Sequence, residues 1–199
     1  MSFRKEVKYR LTYSESDFMK NDLLSRGMQE LHPPRIVNSC YFDTRNFELH
    51  NLSEEGVLPR KKLRLRWYDD SNEFTKETKI SSLEGRFKLS EKFVEISNSN
   101  EILECKFFDQ IYGQLLPSIN ISYERQYFSF GDMRLTFDKN ITYKYARLAF
   151  SNVIRDSEAV IECKIPYNSY DEYACKVMPM PSERFSKYSR GLLLFEKTS

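Results

Sequence analysis

Cations and carboxylates alternate with apolar residues at several places in the sequence. Lys8 lies between Val7 and Tyr9, and Arg64 and Arg66 enclose Leu65. Residues i and i+2 of a β-strand point to the same side, so such a stretch has one charged face and one apolar face. Arg and Lys bind phosphate oxygens, and a carboxylate binds a hard divalent cation. The residue types therefore suit phosphate binding and metal-assisted phosphoryl transfer.

The same spacing recurs along the chain. The charged rows are Glu6-Lys8-Arg10, Arg64-Arg66, Glu77-Lys79, Arg86-Lys88, Arg134-Thr136-Asp138 and Glu162-Lys164. For any one strand, the ordinary explanation is the solvated face of an antiparallel sheet. Repeated pairing of cations with acids favours a second arrangement, in which the rows point inward and line a hydrated channel. Enclosed cations are costly unless phosphates and a metal ion neutralise them, so this channel predicts a polyanionic ligand.

Composition excludes several classes of protein. Lys and Arg number 31 against 29 Asp and Glu, so the net charge of +2 predicts no specific nucleic-acid partner. Two His and four widely spaced Cys favour neither a zinc site nor a disulfide scaffold, and no glycine-rich phosphate loop is present. No apolar run is long enough to span a membrane, and the first residues are charged, which predicts a cytoplasmic protein. The length of 199 residues predicts a single domain over 1–199.

Alternation dominates the periodicity and predicts a mainly β, α+β fold. The predicted strands are Arg4–Thr12, Ile36–Phe42, Lys61–Tyr68, Phe74–Ile80, Arg86–Leu89, Ile121–Phe130, Met133–Phe137, Ile141–Leu148 and Ala159–Ile165. The predicted helices are Ser16–Arg26, Asn100–Leu116, Asp171–Val177 and Ser186–Phe195. Residues 44–60 and 90–99 are polar and are predicted to be loops.

The motifs occur in an order that resembles a known family. They are Arg4-Lys5-Glu6-Val7-Lys8-Tyr9, Ser39-Cys40-Tyr41-Phe42-Asp43-Thr44, Leu63-Arg64-Leu65-Arg66-Trp67-Tyr68, Glu77-Thr78-Lys79, Tyr123-Glu124-Arg125, Arg134-Leu135-Thr136-Phe137-Asp138, Glu162-Cys163-Lys164 and Ser186-Lys187-Tyr188. Together they resemble the polyphosphate polymerase domain of the VTC (vacuolar transporter chaperone) family, a branch of the triphosphate tunnel metalloenzymes that include the CYTH enzymes. The resemblance implies a closed antiparallel tunnel barrel of about eight strands with a few helices packed outside.

The resemblance also implies a function. A member of this type transfers the terminal phosphate of ATP, or of another triphosphate, to a growing polyphosphate chain inside a basic tunnel, with Mn²⁺ or Mg²⁺ bound near the reacting phosphates. The residues that it implies as catalytic cations are Lys8, Arg64, Arg66, Lys79, Arg125 and Lys187, with Glu162 as the metal ligand. Further phosphate-binding candidates are Arg10, Arg86, Lys88, Arg134, Lys164 and Ser186, and the acids expected to orient cations are Glu6, Glu77 and Asp138. Asp43 is interpreted either as a site residue or as a turn former at a strand end.

One departure distinguishes branches of the superfamily. CYTH enzymes begin with the pattern ExExK, whereas the corresponding face here reads Arg4, Glu6, Lys8. Because a cation replaces the first acid, the pattern favours a polymerase over a two-metal triphosphatase. Two alternatives stay open, a triphosphatase that transfers the same phosphate to water and a module that binds polyphosphate or inositol phosphates without turnover.

Overall fold

A computed structural model of the chain describes residues 4–147, 152–166 and 177–197. Its strands are β1 Arg4–Thr12, β2 Gln29–Asp43, β3 Arg60–Tyr68, β4 Phe74–Ser82, β5 Gly85–Phe93, β6 Phe107–Asp109, β7 Gly113–Phe130, β8 Met133–Tyr145, β9 Val153–Arg155 and β10 Glu158–Pro166. Its α-helices are α1 Tyr13–Ser25, α2 Glu48–Glu55 and α3 Lys187–Glu196, and a 3₁₀ helix covers Ser99–Glu104. Within these three ranges, no helix has both the length and the apolarity that a membrane crossing requires.

The chain divides into two compact units, each built from separate segments. Unit 1 comprises Met1–Ile36, Tyr123–Ile141 and Arg155–Phe185, and unit 2 comprises Val37–Ser122, Thr142–Ile154 and Ser186–Ser199. Strands β2, β7, β8 and β9 contribute residues to both units. The prediction of a single domain over residues 1–199 stays a prediction.

In unit 1, one side of the sheet is apolar and the other is charged. β1 pairs antiparallel with β10, placing Lys8 opposite Glu162, and β10 pairs with β8, placing Glu162 opposite Thr136. The alternate residues form a buried core that includes Tyr9, Leu135 and Ile161. Helix α1 covers this core with Met19 and Leu23. It begins in a capping box, in which the Thr12 hydroxyl and the Glu15 carboxylate each bind the other residue's backbone N–H.

In unit 2, the strands β2 to β5 repeat this division. Their registers place Tyr41 opposite Arg64, Arg64 opposite Glu77 and Glu77 opposite Ser90, so these four side chains share one side of the sheet. The opposite side carries a buried cluster of Cys40, Phe42, Leu49, Leu63, Leu65, Phe74, Phe93, Ile102 and Leu115. The separation of charged and apolar faces in the sequence analysis therefore matches the strand registers of both units.

The predicted closed barrel of eight strands is not confirmed. Over the described residues the sheet has ten strands, and its path of hydrogen-bonded neighbours runs β1-β10-β8-β7-β2-β3-β4-β5, with β6 on β7 and β9 on β8. The path has two ends, β1 and β5. At the β1 end, the backbone N–H of Glu183 donates to the carbonyl of Lys8 at 2.9 Å, so a non-strand segment occupies a hydrogen-bonding group that a closing strand would use.

Several element boundaries also differ from those predicted. The helix predicted at Asn100–Leu116 is wrong, because only the 3₁₀ helix Ser99–Glu104 forms and β6 and the start of β7 follow it. The loop predicted over 44–60 contains α2, and the loop predicted over 90–99 begins inside β5. Helices α1 and α3 confirm two predictions to within a few residues. The helix predicted at Asp171–Val177 lies, apart from Val177, outside the described residues.

Candidate functional site

A buried carboxylate holds three cations together in unit 2. The Glu77 side chain is 5% exposed, and its carboxylate lies 2.5 Å from Arg64, 2.6 Å from Lys88 and 3.6 Å from Arg66. Burial raises the pKa of Glu77, but Arg64 and Arg66 outweigh it and lower that pKa to about 2. Glu77 is therefore ionised at neutral pH and fixes the neighbouring guanidinium groups. We call Glu77, Arg64, Arg66 and Lys88, together with Ser39, Tyr41 and Lys62 on the same side of the sheet, the Glu77 cluster.

Two polar atoms of the Glu77 cluster are buried and have no hydrogen-bond partner among the residues that the structure describes. They are Nε of Arg66 and Oγ of Ser39, and the two residues are opposite each other in the register of β2 and β3. A buried donor left without an acceptor costs about 1–3 kcal/mol. An acceptor oxygen from a ligand would remove this cost at both atoms.

Tyr41 adds an aromatic ring to the same side of the sheet. Its hydroxyl accepts a 2.8 Å hydrogen bond from Nη1 of Arg64. Its ring stacks on that of Tyr188, with the ring centroids 4.8 Å apart and the planes 8° from parallel. Burial raises the pKa of Tyr41, but the surrounding cations, Arg64 first among them, lower it to about 7.

Asp43 connects helices α2 and α3 of unit 2. Its fully buried carboxylate accepts hydrogen bonds from the backbone N–H groups of Thr44, Leu49 and His50 and from the hydroxyl of Tyr188 at 2.6 Å. A carboxylate suits this end of α2, where N–H groups lack partners within the helix. Burial, and then Asp43, raise the pKa of Tyr188 well above its ordinary value, so Tyr188 stays a neutral donor.

This contact positions the start of α3. Ser186 is the N-cap of α3, and its hydroxyl accepts hydrogen bonds from the backbone N–H of Ser189 at 3.5 Å and from Nζ of Lys62 at 2.9 Å. Lys187 is the first residue of the helix and is half-buried. Ser186 and Lys187 are therefore held by a helix whose next residue, Tyr188, is anchored on Asp43.

A second charged group lies in unit 1. It consists of Glu162, Lys164, Lys8 and Glu6, with Thr136 on the neighbouring strand, and we call it the Glu162 cluster. The carboxylate of Glu162 is 3.4 Å from Nζ of Lys164 and 3.9 Å from Nζ of Lys8, and Lys8 is also 3.2 Å from Glu6. Burial raises the pKa of Glu162, but Lys8, Arg125 and Lys164 together hold it well below its ordinary value. Across the strand pair, Oγ1 of Thr136 is buried, and the part of the chain that the structure describes offers it no hydrogen-bond partner.

Arg125 is fixed in unit 1 by a two-point contact. Its Nε and Nη2 donate to the two oxygens of Asp138 at 2.6 and 2.7 Å, and the Asp138 side chain is fully buried. Burial lowers the pKa of Arg125, but Asp138 outweighs it and raises the pKa well above its ordinary value. A planar guanidinium held by both ends of a carboxylate keeps one orientation.

Some of the predicted residues lie at the margins of these clusters. Arg10 is bound by Glu158 at 2.6 Å and by Glu183 at 3.4 Å. Arg134 is exposed and lies opposite Lys164 in the register of β8 and β10. The exposed side chains at the outer end of the unit 2 face are Lys79, Arg86 and Lys88.

Several residues in or beside the two clusters have no role predicted from the sequence. These are Ser39, Tyr41, Lys62, Thr136 and Tyr188. Lys62 could have been found, because it precedes Arg64 by two residues and so shares its side of β3. Tyr41 and Tyr188 could not, since an aromatic residue in a strand or a helix is most often part of the core.

Comparisons with solved structures identify the fold. A conserved hypothetical protein from Pyrococcus furiosus matches with a TM-score of 0.56 and 12% identity over 94% of this chain and 99% of that chain. A protein from Hippeastrum, studied as an adenylyl cyclase candidate and described as having dominant triphosphatase activity, matches with a TM-score of 0.56 and 15% identity over 98% and 96%. A proposed adenylate cyclase from Bacillus halodurans gives 0.56 and 15% over 94% and 96%. The chain shares the fold of these proteins.

The family is identified by the sequence itself. The family model described as the VTC domain matches residues 3–196, nearly the whole chain. The chain therefore belongs to the VTC domain family, which confirms the resemblance found in the motifs. No curated protein matches it significantly.

Proposed function

We propose that the protein is a metal-dependent polyphosphate polymerase, which transfers the terminal phosphate of ATP to a growing polyphosphate chain. Membership of the VTC domain family supports this proposal, because the motifs by which the sequence resembles that family contain most of the charged residues of both clusters. The fold, shared with a protein described as a triphosphatase, is compatible with a triphosphate substrate.

The pair of unsatisfied atoms in the Glu77 cluster carries the proposal. Nε of Arg66 and Oγ of Ser39 are buried and find no acceptor within the described ranges, and the same sheet face also holds Arg64 and Lys62. An anion with several oxygens satisfies such donors and neutralises the cations at the same time. Phosphate oxygens have this chemistry, whereas an apolar ligand would leave the donors unsatisfied.

The proposed roles follow from the positions of the side chains. Residues proposed to bind phosphate oxygens are Lys8, Arg10, Arg64, Arg66, Lys79, Arg86, Lys88, Arg125, Arg134, Lys164, Ser186 and Lys187. Glu77 and Asp138 orient Arg64 and Arg125 through the contacts given above. Charges fixed before the reaction stabilise the transferred phosphoryl group without reorganisation, which is the main requirement of phosphoryl transfer.

The Glu162 cluster fits a divalent ion that is held jointly with the substrate. Glu162 is an ionised carboxylate beside the unsatisfied hydroxyl of Thr136, and both are oxygen donors. No group of three or more His, Cys, Asp or Glu that could hold a metal is found in the described ranges. Glu162 would therefore bind Mn²⁺ or Mg²⁺ through one carboxylate, with water and phosphate in the other positions. When bound, the ion would neutralise charge on the phosphate oxygens.

Triphosphatase activity is the second candidate, because a structure of the same fold is described with that activity. The proposed cations would serve both reactions, and only the acceptor of the phosphoryl group, water or polyphosphate, would differ. Product analysis therefore separates the two candidates.

The test is incubation of the purified protein with ATP and Mn²⁺, followed by gel separation of the products. The proposal predicts a ladder of polyphosphate. Free phosphate without a ladder would identify a triphosphatase, and tight polyphosphate binding without either product would identify a receptor. Glu162→Gln should abolish turnover and retain polyphosphate binding, whereas Glu91→Gln, at an exposed ion pair with Lys76, should be as active as the wild type. Full activity of Glu162→Gln would refute the metal assignment.

A further inference from the structure

Tyr41 is a polar residue of the Glu77 cluster to which the proposed function gives no role. Its hydroxyl is a donor as well as an acceptor. Only its acceptor side is used in the hydrogen bond from Arg64, at 2.8 Å. The stacked ring of Tyr188 holds the Tyr41 ring, and Tyr188 is in turn anchored on Asp43. The hydroxyl group is thus held in place on the same side of the sheet as the cations.

The charges around Tyr41 are predominantly positive. The cations that act on it are Arg64, Arg66 and Lys62 of β3 and Lys79 of β4. Other titratable groups on the surrounding elements are Glu77, which contacts Arg64, and Asp43, His50 and Arg147, which act on Tyr188 rather than on Tyr41. Glu77 is shared among Arg64, Arg66 and Lys88, so one carboxylate balances three cations.

We propose that Tyr41 is a further phosphate-binding residue, which is largely a phenolate in the free protein at pH 8 and takes up a proton there when phosphates bind. This inference rests on the proposed function, because it requires that the Glu77 cluster binds the substrate. The phosphates neutralise the cations that stabilise the phenolate. One O–H bond then forms with a proton from the buffer, and the new hydroxyl donates to a phosphate oxygen.

The lowered pKa of Tyr41 fixes the pH range of the effect. With a pKa of about 7 in the free protein, Tyr41 is largely ionised at pH 8 and largely protonated at pH 6. When bound phosphates neutralise the cations, burial becomes the dominant influence on the pKa of Tyr41 and raises it. Proton uptake by Tyr41 is therefore expected at pH 8 and is nearly absent at pH 6.

Calorimetric titration with inorganic tripolyphosphate, without metal, tests the inference. Titrations in buffers of different ionisation enthalpy give the number of protons taken up at each pH. Tyr41→Phe keeps the stacked ring and removes the hydroxyl, and comparison with it cancels the protons exchanged by tripolyphosphate itself. The control is Tyr13→Phe, which removes a hydroxyl that donates to the carbonyl of Asp156 in unit 1.

At pH 8 the wild type and Tyr13→Phe should take up about 0.9 proton more than Tyr41→Phe, and at pH 6 the difference should fall to about 0.1. The tyrosinate absorbance of the wild type, which needs no variant, should decrease on binding at pH 8. Binding with equal proton uptake by all three proteins, or with unchanged tyrosinate absorbance, would overturn the role of Tyr41 and leave the proposed function intact. If tripolyphosphate does not bind the wild type, both proposals are wrong.

Discussion

Replacing Glu77 by Gln tests how the cations are held in place. A pKa lowered from 4.5 to about 2 corresponds to about 3 kcal/mol of stabilisation at neutral pH, because each pKa unit is worth about 1.4 kcal/mol. The Glu77 side chain is 5% exposed, so solvent screens this interaction little. Glu77→Gln should therefore lower the free energy of unfolding by about 3 kcal/mol at pH 7. Urea unfolding of the two proteins measures the difference.

The difference in stability between the wild type and Glu77→Gln should also depend on pH. A lowered pKa stabilises the folded protein above the unfolded-state pKa of about 4.5, and the contribution is lost as the pH falls towards 2. The two proteins should therefore converge in stability as the pH is lowered. Glu91→Gln removes a carboxylate that is 66% exposed, from a 2.9 Å ion pair with Lys76, and should cost less than about 1 kcal/mol. Equal losses of stability in the two variants would show that the Glu77 carboxylate does not stabilise the protein through its ion pairs. A loss in Glu77→Gln that persists at low pH would show the same.

Three further substitutions test the contacts that hold helix α3 and Arg125 in place. Tyr188→Phe removes the hydroxyl donor to buried Asp43 and should destabilise the protein by about 1–3 kcal/mol in urea unfolding; an unchanged midpoint would argue against anchoring of α3. Arg125→Lys cannot make both contacts with Asp138 and should lose at least about 2 kcal/mol, together with affinity for tripolyphosphate measured by calorimetry. Gly191→Ala places a Cβ 2.5 Å from two buried side-chain carbons and should cost about 1–3 kcal/mol, so a stabilised variant would contradict the packing of α3.

The eight longer strands and their two faces could be predicted from the sequence, whereas the three-residue strands β6 and β9 were not predicted. β1 has the predicted bounds Arg4–Thr12, and its charged row lies opposite Glu162 and Lys164 of β10. Alternation is a local property with a period of two residues, so it is readable without knowledge of the partner strand. Closure of the sheet could not be predicted from alternation, because it depends on pairing between edge strands that are far apart in sequence.

The misassigned elements share a physical cause, which is that hydrogen bonds between neighbouring segments override the pattern of apolar residues. Helix α2, Glu48–Glu55, forms in a segment predicted to be a loop, because buried Asp43 accepts its first N–H groups. The segment predicted as the helix Asn100–Leu116 instead supplies the strands β6 and β7, which pair through Phe107 and Leu115. Neither contact leaves a signal in the spacing of apolar residues.

Residues that hold the site were harder to predict than residues that line it. Lys and Arg at alternate positions indicated the charged faces, whereas Tyr41 and Tyr188 were indistinguishable from core aromatic residues. Their role depends on hydrogen bonds with Arg64 and Asp43, which lie on other elements or far along the chain. Sequence spacing alone does not report such pairs.

The affinity for tripolyphosphate at physiological salt, measured for the wild type and for Arg66→Gln, shows whether the Glu77 cluster binds phosphate. Arg66 carries the buried Nε without a partner, so Arg66→Gln removes a charged donor that the phosphate is expected to satisfy. Losing a hydrogen bond to a charged group costs about 1.5–3 kcal/mol, which corresponds to about 10- to 150-fold weaker binding. Arg26→Gln, at an i,i+4 ion pair with Asp22 on α1, should bind as the wild type does. No measurable binding by the wild type, or equal affinity in Arg66→Gln, would contradict the account.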